Sequence, residues 1–263
     1  MSLVFAGITP HPPILIPAIG KNNLDQLEKT KLALEQLAGE LYAAQPDILI
    51  IISPHGNINP NAFTVNLAEK FTISFESFGD LSTKITLFGD SHLITSNKKK
   101  LRSKFNLNII AEEKLDHGSG VPLYYLTSHL KEVKIVPIYF SMLDYQSHLE
   151  FGKSLKEAIL ETNERVAVIA SGDMSHCLTK SAPAGFNPAG KEFDEKVIAL
   201  IKNRDLQGIV NIDHELVDNA AECGLRSFLI LFGVLNSINF NPEILSYEAP
   251  FGVGYLVANF RLE

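Results

Sequence analysis

The chain has 263 residues, of which 46% are hydrophobic and 20% charged, with a net charge of −7; that is enough apolar material for a sizeable core. The negative balance argues against a nucleic-acid partner, whose phosphates are bound mainly through Lys and Arg, and no apolar run approaches the roughly 18 residues of a membrane span. The opening Met1-Ser-Leu-Val-Phe5 lacks the basic segment of a secretory signal, so a cytoplasmic location is expected.

A first strand is predicted over Leu3 to Thr9, then a helix over Asn22 to Ala44 and a strand over Asp47 to Ser53. Between Ala62 and Phe88, polar and apolar residues alternate in runs such as Phe63-Thr-Val-Asn-Leu67, which reads as two or three antiparallel edge strands. The basic run Asn97-Lys-Lys-Lys-Leu-Arg-Ser-Lys104 reads as a solvated helix face. Strands over Val133 to Phe140 and Val166 to Ser171 bracket a helix over Tyr145 to Glu161. Helices over Pro188 to Lys202 and Asn219 to Asn236 follow, then strands over Glu243 to Tyr247 and Gly254 to Phe260. The alternation predicts an α/β fold: a single domain across residues 1–263, with a largely parallel central sheet flanked by helices and antiparallel strands added at its edges.

In such a sheet, ligands gather beyond the carboxyl ends of the strands, so polar residues just after strands are the ones to inspect. His11 follows the first strand in Thr9-Pro-His-Pro-Pro13, His55 the second in Ser53-Pro-His-Gly56, and His176 the strand ending at Ser171, in Ser171-Gly-Asp-Met-Ser-His176. His117, in Leu115-Asp-His-Gly-Ser-Gly120, sits in a Gly-bounded loop ahead of a helix and can join them. Any one of these could simply bond a nearby backbone group. Together they suggest a metal site, because neutral imidazole is the commonest metal ligand and the prolines around His11 and before His55 restrict the backbone that aims them. His92, His129, His148 and His214 lie in or beside helical patterns with charged neighbours and read as surface or cap residues.

Glu222 lies three residues before Leu225 on the apolar stripe Leu225, Phe228, Leu229, Phe232, Leu235. A core-facing carboxylate is costly unless it is paired, here with Arg226 at the i+4 position, or bound to metal. Two histidines and one carboxylate make the triad that suits non-haem Fe(II). The two cysteines, Cys177 and Cys223, are too far apart for a Cys-x-x-Cys pair; they read either as small buried apolar residues or as a thiol near a metal. If Glu222 and Cys223 share one helix, they point about 100° apart and cannot both face a small ion, and Glu222 is the expected donor. Gly185-Phe-Asn-Pro-Ala-Gly-Lys-Glu192 lacks the Ser or Thr and the preceding strand of a phosphate loop. Ser175 lacks the Gly-x-Ser-x-Gly elbow of a hydrolase.

His11-Pro-Pro with Ile16-Pro17, Ser53-Pro-His-Gly56, Asp116-His-Gly-Ser-Gly-Val-Pro-Leu123, Ser171-Gly-Asp-Met-Ser-His176 and Ala221-Glu-Cys-Gly-Leu-Arg226 span nearly the whole chain. In this order they resemble the class III extradiol ring-cleavage dioxygenases, in their catalytic LigB-type subunit, and the related Memo-like proteins. The resemblance implies Fe(II) held by His11, His55 and Glu222, with Zn(II) as the alternative ion. It makes His176 the acid/base residue and His117 a group that positions substrate or oxygen. The implied partners are a small aromatic diol and O2, the ring opening next to the diol. Two other functions suit the same residues: a Zn-dependent hydrolase with His176 as base, or a Memo-like metal-binding protein without ring-cleavage activity, in which Cys223 or Cys177 matters. The Glu222-Cys-Gly224 variant is closer to the Memo-like branch. A homo-oligomer is compatible with the sequence.

Overall fold

A computed structural model describes residues 2–130 and 132–263. In chain order the elements are β1 (Leu3–Thr9), α1 (Pro17–Gly20), α2 (Glu28–Ala44), β2 (Ile48–Ser53), β3 (Phe63–Asn66), β4 (Lys70–Phe75), β5 (Asp80–Gly89), α3 (His92–Lys104) and β6 (Leu107–Ile110). They continue with α4 (His117–Leu126), β7 (Lys134–Tyr139), α5 (Tyr145–Leu160), β8 (Val166–Ser171), α6 (Pro188–Lys202), α7 (Leu206–Val210), α8 (His214–Ala220), α9 (Leu225–Leu235), β9 (Phe240–Glu248) and β10 (Tyr255–Leu262).

One mixed sheet of ten strands runs in the order β4-β5-β7-β2-β8-β1-β10-β9. The pairings from β5 through β7, β2 and β8 to β1 are parallel, and β4, β10 and β9 add antiparallel pairs at the two ends. β2 and β8 are buried along their whole length, as strands covered on both faces must be. Ile48, Ile50 and Ile52 of β2 point into one apolar layer with Phe151 and Leu155 of α5 and Phe228 and Phe232 of α9. Leu49 and Ile51 point into the other, with Leu34 and Leu37 of α2 and Val121 of α4. The alternation follows from the two-residue period of a strand.

The sheet forks at β7. β5 pairs with Lys134 and Ile135, whereas β3 pairs antiparallel with Ile138 and Tyr139 and carries β6 beyond it. Between the two pairings sits Pro137, which has no N–H to extend a ladder.

The α/β fold, its parallel centre and the antiparallel additions match the sequence expectation. Four local expectations change. β6 was not foreseen, because four residues carry too little periodicity. His117 opens α4 rather than lying in a loop, and the helix expected over Asn219 to Asn236 is two helices. Ala221 adopts a left-handed backbone, φ 53°, and ends α8, so Glu222 and Cys223 lie in the connection before α9. His148, expected as a surface or cap residue, is buried, with its ring nitrogens facing the carbonyls of Asp144 and Ser141 at 2.7 and 3.0 Å. Among the described residues no helix is long and apolar enough to cross a membrane.

α5 and α9 meet backbone to backbone at Gly152 and Gly233. A Cβ on Gly152 would stand 2.0 Å from Ile230 O, and one on Gly233 would stand 2.2 Å from Leu149 O. Gly152→Ala should therefore lower stability by about 1–3 kcal/mol through overpacking. Urea unfolding followed by circular dichroism checks this; an unchanged midpoint would show that the helices can separate freely.

Candidate metal centre

Because β8 lies between β2 and β1, the loops leaving the three carboxyl ends open onto one crevice. His11 and His55 sit just beyond β1 and β2, and His176 lies in the loop after β8. His117 enters as the first residue of α4, whose N-cap Asp116 accepts from Ser119 N at 2.9 Å and from Ser53 Oγ, at the end of β2, at 2.5 Å.

His11 Nε2 lies 3.0 Å from His55 Nε2 and 3.6 Å from Cys223 Sγ. These three donor atoms all lie within 4.8 Å of one another, and among the described residues they form the one group of three His, Cys, Asp or Glu donors placed to share an ion. The His117 ring stacks on His55 at 4.4 Å and meets His11 edge-on at 5.6 Å. His176 is near enough for its charge to lower the pKa of both His11 and His55, and its Nδ1 is buried without a hydrogen-bond partner.

Cys223 arrives through a close backbone approach. A Cβ on Gly172, in the loop after β8, would stand 2.1 Å from Gly224 Cα, and only glycine at both positions lets the chains touch. Asp173 then joins the strands' loops: its carbonyl accepts from Cys223 N at 3.4 Å and Gly224 N at 3.1 Å, while its carboxylate accepts from His11 N at 2.9 Å. Glu222 turns to the start of α9, where Oε2 accepts from Leu225 N at 2.6 Å. Arg226, considered as its partner, places its guanidinium over the rings of Tyr145 and Phe140, at 5.2 and 5.9 Å. Because the left-handed Ala221 ends α8, Glu222 and Cys223 do not share a helix, and Cys223 can face His11.

Burial dominates the electrostatics. It lowers His11 well below the ordinary histidine value, helped by the charges of His55, His117 and His176. It brings His55 to about 4, with His117 lowering it further and Asp116 opposing. His117 and His176 are also lowered by burial. The same desolvation raises Asp173 to about 7 against the His11 N–H, raises Glu222 to about 7 against the Leu225 N–H, and pushes the Cys223 thiol well above 9. Near neutral pH the crevice thus presents uncharged imidazoles, a protonated thiol and two carboxyls whose pKa values are raised out of the ordinary carboxylate range. That donor set suits a divalent transition-metal ion, which would repay the loss of the thiol proton.

Residues 6–258 match the family model described as the catalytic LigB subunit of aromatic ring-opening dioxygenase. The chain belongs to this LigB family. It is 35% identical over 97% of its length to a protein of Clostridium acetobutylicum, of which it spans 57%. It is 25% identical, over 76% of this chain and 78% of the relative, to 3,4-dihydroxyphenylacetate 2,3-dioxygenase of Escherichia coli. A MEMO1 family protein of Methanosarcina mazei is 33% identical over 42% of the chain and 39% of that protein. An uncharacterised protein of Escherichia coli K12 has the same fold, with a TM-score of 0.68, 15% identity and 97% and 99% of the two chains covered.

In this LigB-family chain the structure brings His11, His55, His117 and His176 together in one crevice, as their positions in the sequence predict. Asp173 and Ser171 stand inside the Ser171-Gly-Asp-Met-Ser-His176 motif, but a loop aspartate or serine is legible as a site residue only when its neighbours in space are known.

The pKa shifts set how metal affinity should vary with pH. His11 and His55 are already neutral at pH 6, so protons on them do not compete with an ion between pH 6 and 8. A Cys223 thiolate donor must release a proton throughout that range, because its pKa lies above it, so affinity for Zn(II) should rise about tenfold per pH unit. With Glu222 as the anionic donor the rise would stop near pH 7, above which the carboxylate is already ionised. Competition against a chromophoric chelator at pH 6, 7 and 8 separates the two slopes.

Proposed function

We propose that this LigB-family chain binds Fe(II) at His11 and His55, with the adjacent Glu222–Cys223 pair supplying the third donor, and uses it to open a catechol-type ring with O2. The observation that carries the reading is the meeting of His11 Nε2, His55 Nε2 and Cys223 Sγ at the ends of parallel strands, with His117 and His176 beside them. A bound ion would supply a template and Lewis acid for the diol and dioxygen.

The chain's own residues have the remaining tasks. A cavity of about 520 Å³ opens beside His55 and His117, walled also by Phe78, Tyr139, Asn57 and Lys114, a size within the range of small-molecule sites. Phe78 meets His117 edge-on at 5.2 Å, so an aromatic ring entering there would find aromatic faces as well as polar groups. His176, neutral at pH 7 because burial lowers its pKa, can accept a phenolic proton and return it to the opened product. A larger cavity, about 890 Å³, lies at the opposite ends of the strands near Asp47, Lys134 and Arg165; no group of three metal donors meets there among the described residues.

A second reading, a Memo-like metal-binding protein without ring cleavage, is favoured by the thiol 3.6 Å from His11 Nε2, since the dioxygenase reading calls for a carboxylate in that place. Zn(II) in place of Fe(II) also suits a thiol-containing set.

Anaerobic loading with Fe(II), then oxygen uptake on a panel of catechols, tests ring cleavage. Uptake that requires both iron and a catechol is expected; iron binding with no catechol-dependent uptake across the panel would favour the second reading. His11→Ala and His55→Ala should each lose most bound iron, whereas His176→Ala should keep it and turn over roughly 10²- to 10⁴-fold more slowly. Cys223→Ser should lower iron content more than Glu222→Gln does. The opposite ranking would return the third position to the carboxylate.

A further inference from the structure

We infer that the Ser171 hydroxyl, aimed by a carbonyl that Pro122 leaves free, holds His11 in the tautomer with its proton on Nδ1 and so makes Nε2 the ligating atom. The inference rests on the proposed metal reading and adds a positioning residue to it.

Pro122 lies inside α4. In an α-helix the N–H of residue 122 would donate to the carbonyl of residue 118, and proline has no N–H. Gly118 O is therefore without that intrahelical donor. Ser171 Oγ, at the end of β8, stands 2.5 Å from it, and His11 Nδ1 stands 2.9 Å from the same Oγ. Ser171 is fully buried and His11 nearly so, which leaves little room for water to take either role.

A hydroxyl has one proton to give, and a carbonyl has none. If Ser171 donated to His11 Nδ1, its oxygen would face Gly118 O at 2.5 Å with no proton between two acceptors, a buried repulsive contact. The proton must instead go to Gly118 O. Ser171 Oγ then accepts from Nδ1–H, and the Nε2 lone pair faces His55 Nε2 and Cys223 Sγ. His55 Nε2–H can donate to that lone pair until an ion replaces the proton. A hydrogen bond at the outer nitrogen of a ligating histidine both orients the ring and raises its basicity.

The tautomer is read directly by long-range ¹H–¹⁵N correlation spectra of the metal-free protein at pH 7, with the His11 signals identified by their loss in His11→Gln. Wild type should carry its ring proton on Nδ1. Ser171→Ala should shift His11 toward the Nε2–H form and weaken Co(II) binding by about 10- to 100-fold, and Ser171→Thr, which keeps the hydroxyl, should recover both. A wild-type His11 protonated on Nε2 overturns the inference, and that spectrum needs no variant to fold. So does Ser171→Ala with Nδ1–H retained and Co(II) affinity within twofold of wild type. Wild type in the Nδ1–H form that binds no Co(II) would sink the metal reading and leave the tautomer assignment standing.

Discussion

Two short hydrogen bonds tie the first turn of α4 to the sheet: Ser53 Oγ donates to Asp116 Oδ1 and Ser171 Oγ to Gly118 O, both at 2.5 Å. Ser53 ends β2 and Ser171 ends β8, so one helix end is held by two adjacent parallel strands. The placement of the histidines depends on this junction. It stacks His117 on His55, and through Ser171 it reaches the ring of His11.

Bringing four imidazoles, a thiol and two carboxyls into one crevice, with His11 and Asp173 buried in it, has an electrostatic consequence that runs through the group. Desolvation penalises the charged form of each, so the histidines are lowered and the acids raised, and the crevice settles near neutrality. Such a site is costly to the fold only if charge must be created in it. A divalent ion held there would reverse the balance, because it would stabilise an ionised thiol or carboxylate and use the bare nitrogens. The perturbed pKa values thus point to the same place as the geometry, in keeping with their usual concentration at functional sites.

The 222–224 connection shows how local backbone decides chemistry. A continuous helix would aim Glu222 and Cys223 in different directions and leave Glu222 on the core-facing stripe. The left-handed Ala221 and the Gly172–Gly224 contact free this segment, so that the carboxylate caps α9 and the thiol faces His11. A thiol beside His11 Nε2, with the neighbouring carboxylate turned to the start of α9, is an arrangement different from a two-histidine, one-carboxylate triad.

The α/β class, the parallel centre and the strand-end positions of His11, His55 and His176 were legible from sequence, because each rests on short-range pattern: apolar runs of strand length, a helical period between them, and polar residues directly after the runs. The motif resemblance extended this to the family. Other features were decided only in three dimensions. The fork at Pro137 depends on which strands compete for one edge, and the burial of His148 on how α5 packs. Whether Glu222 or Cys223 meets the histidines turns on a single left-handed residue and on two glycines some fifty positions apart. Sequence periodicity reports which face a residue occupies within its own element; it carries no information about which backbone from elsewhere will pack against it, and here that contact decides which side chain faces His11.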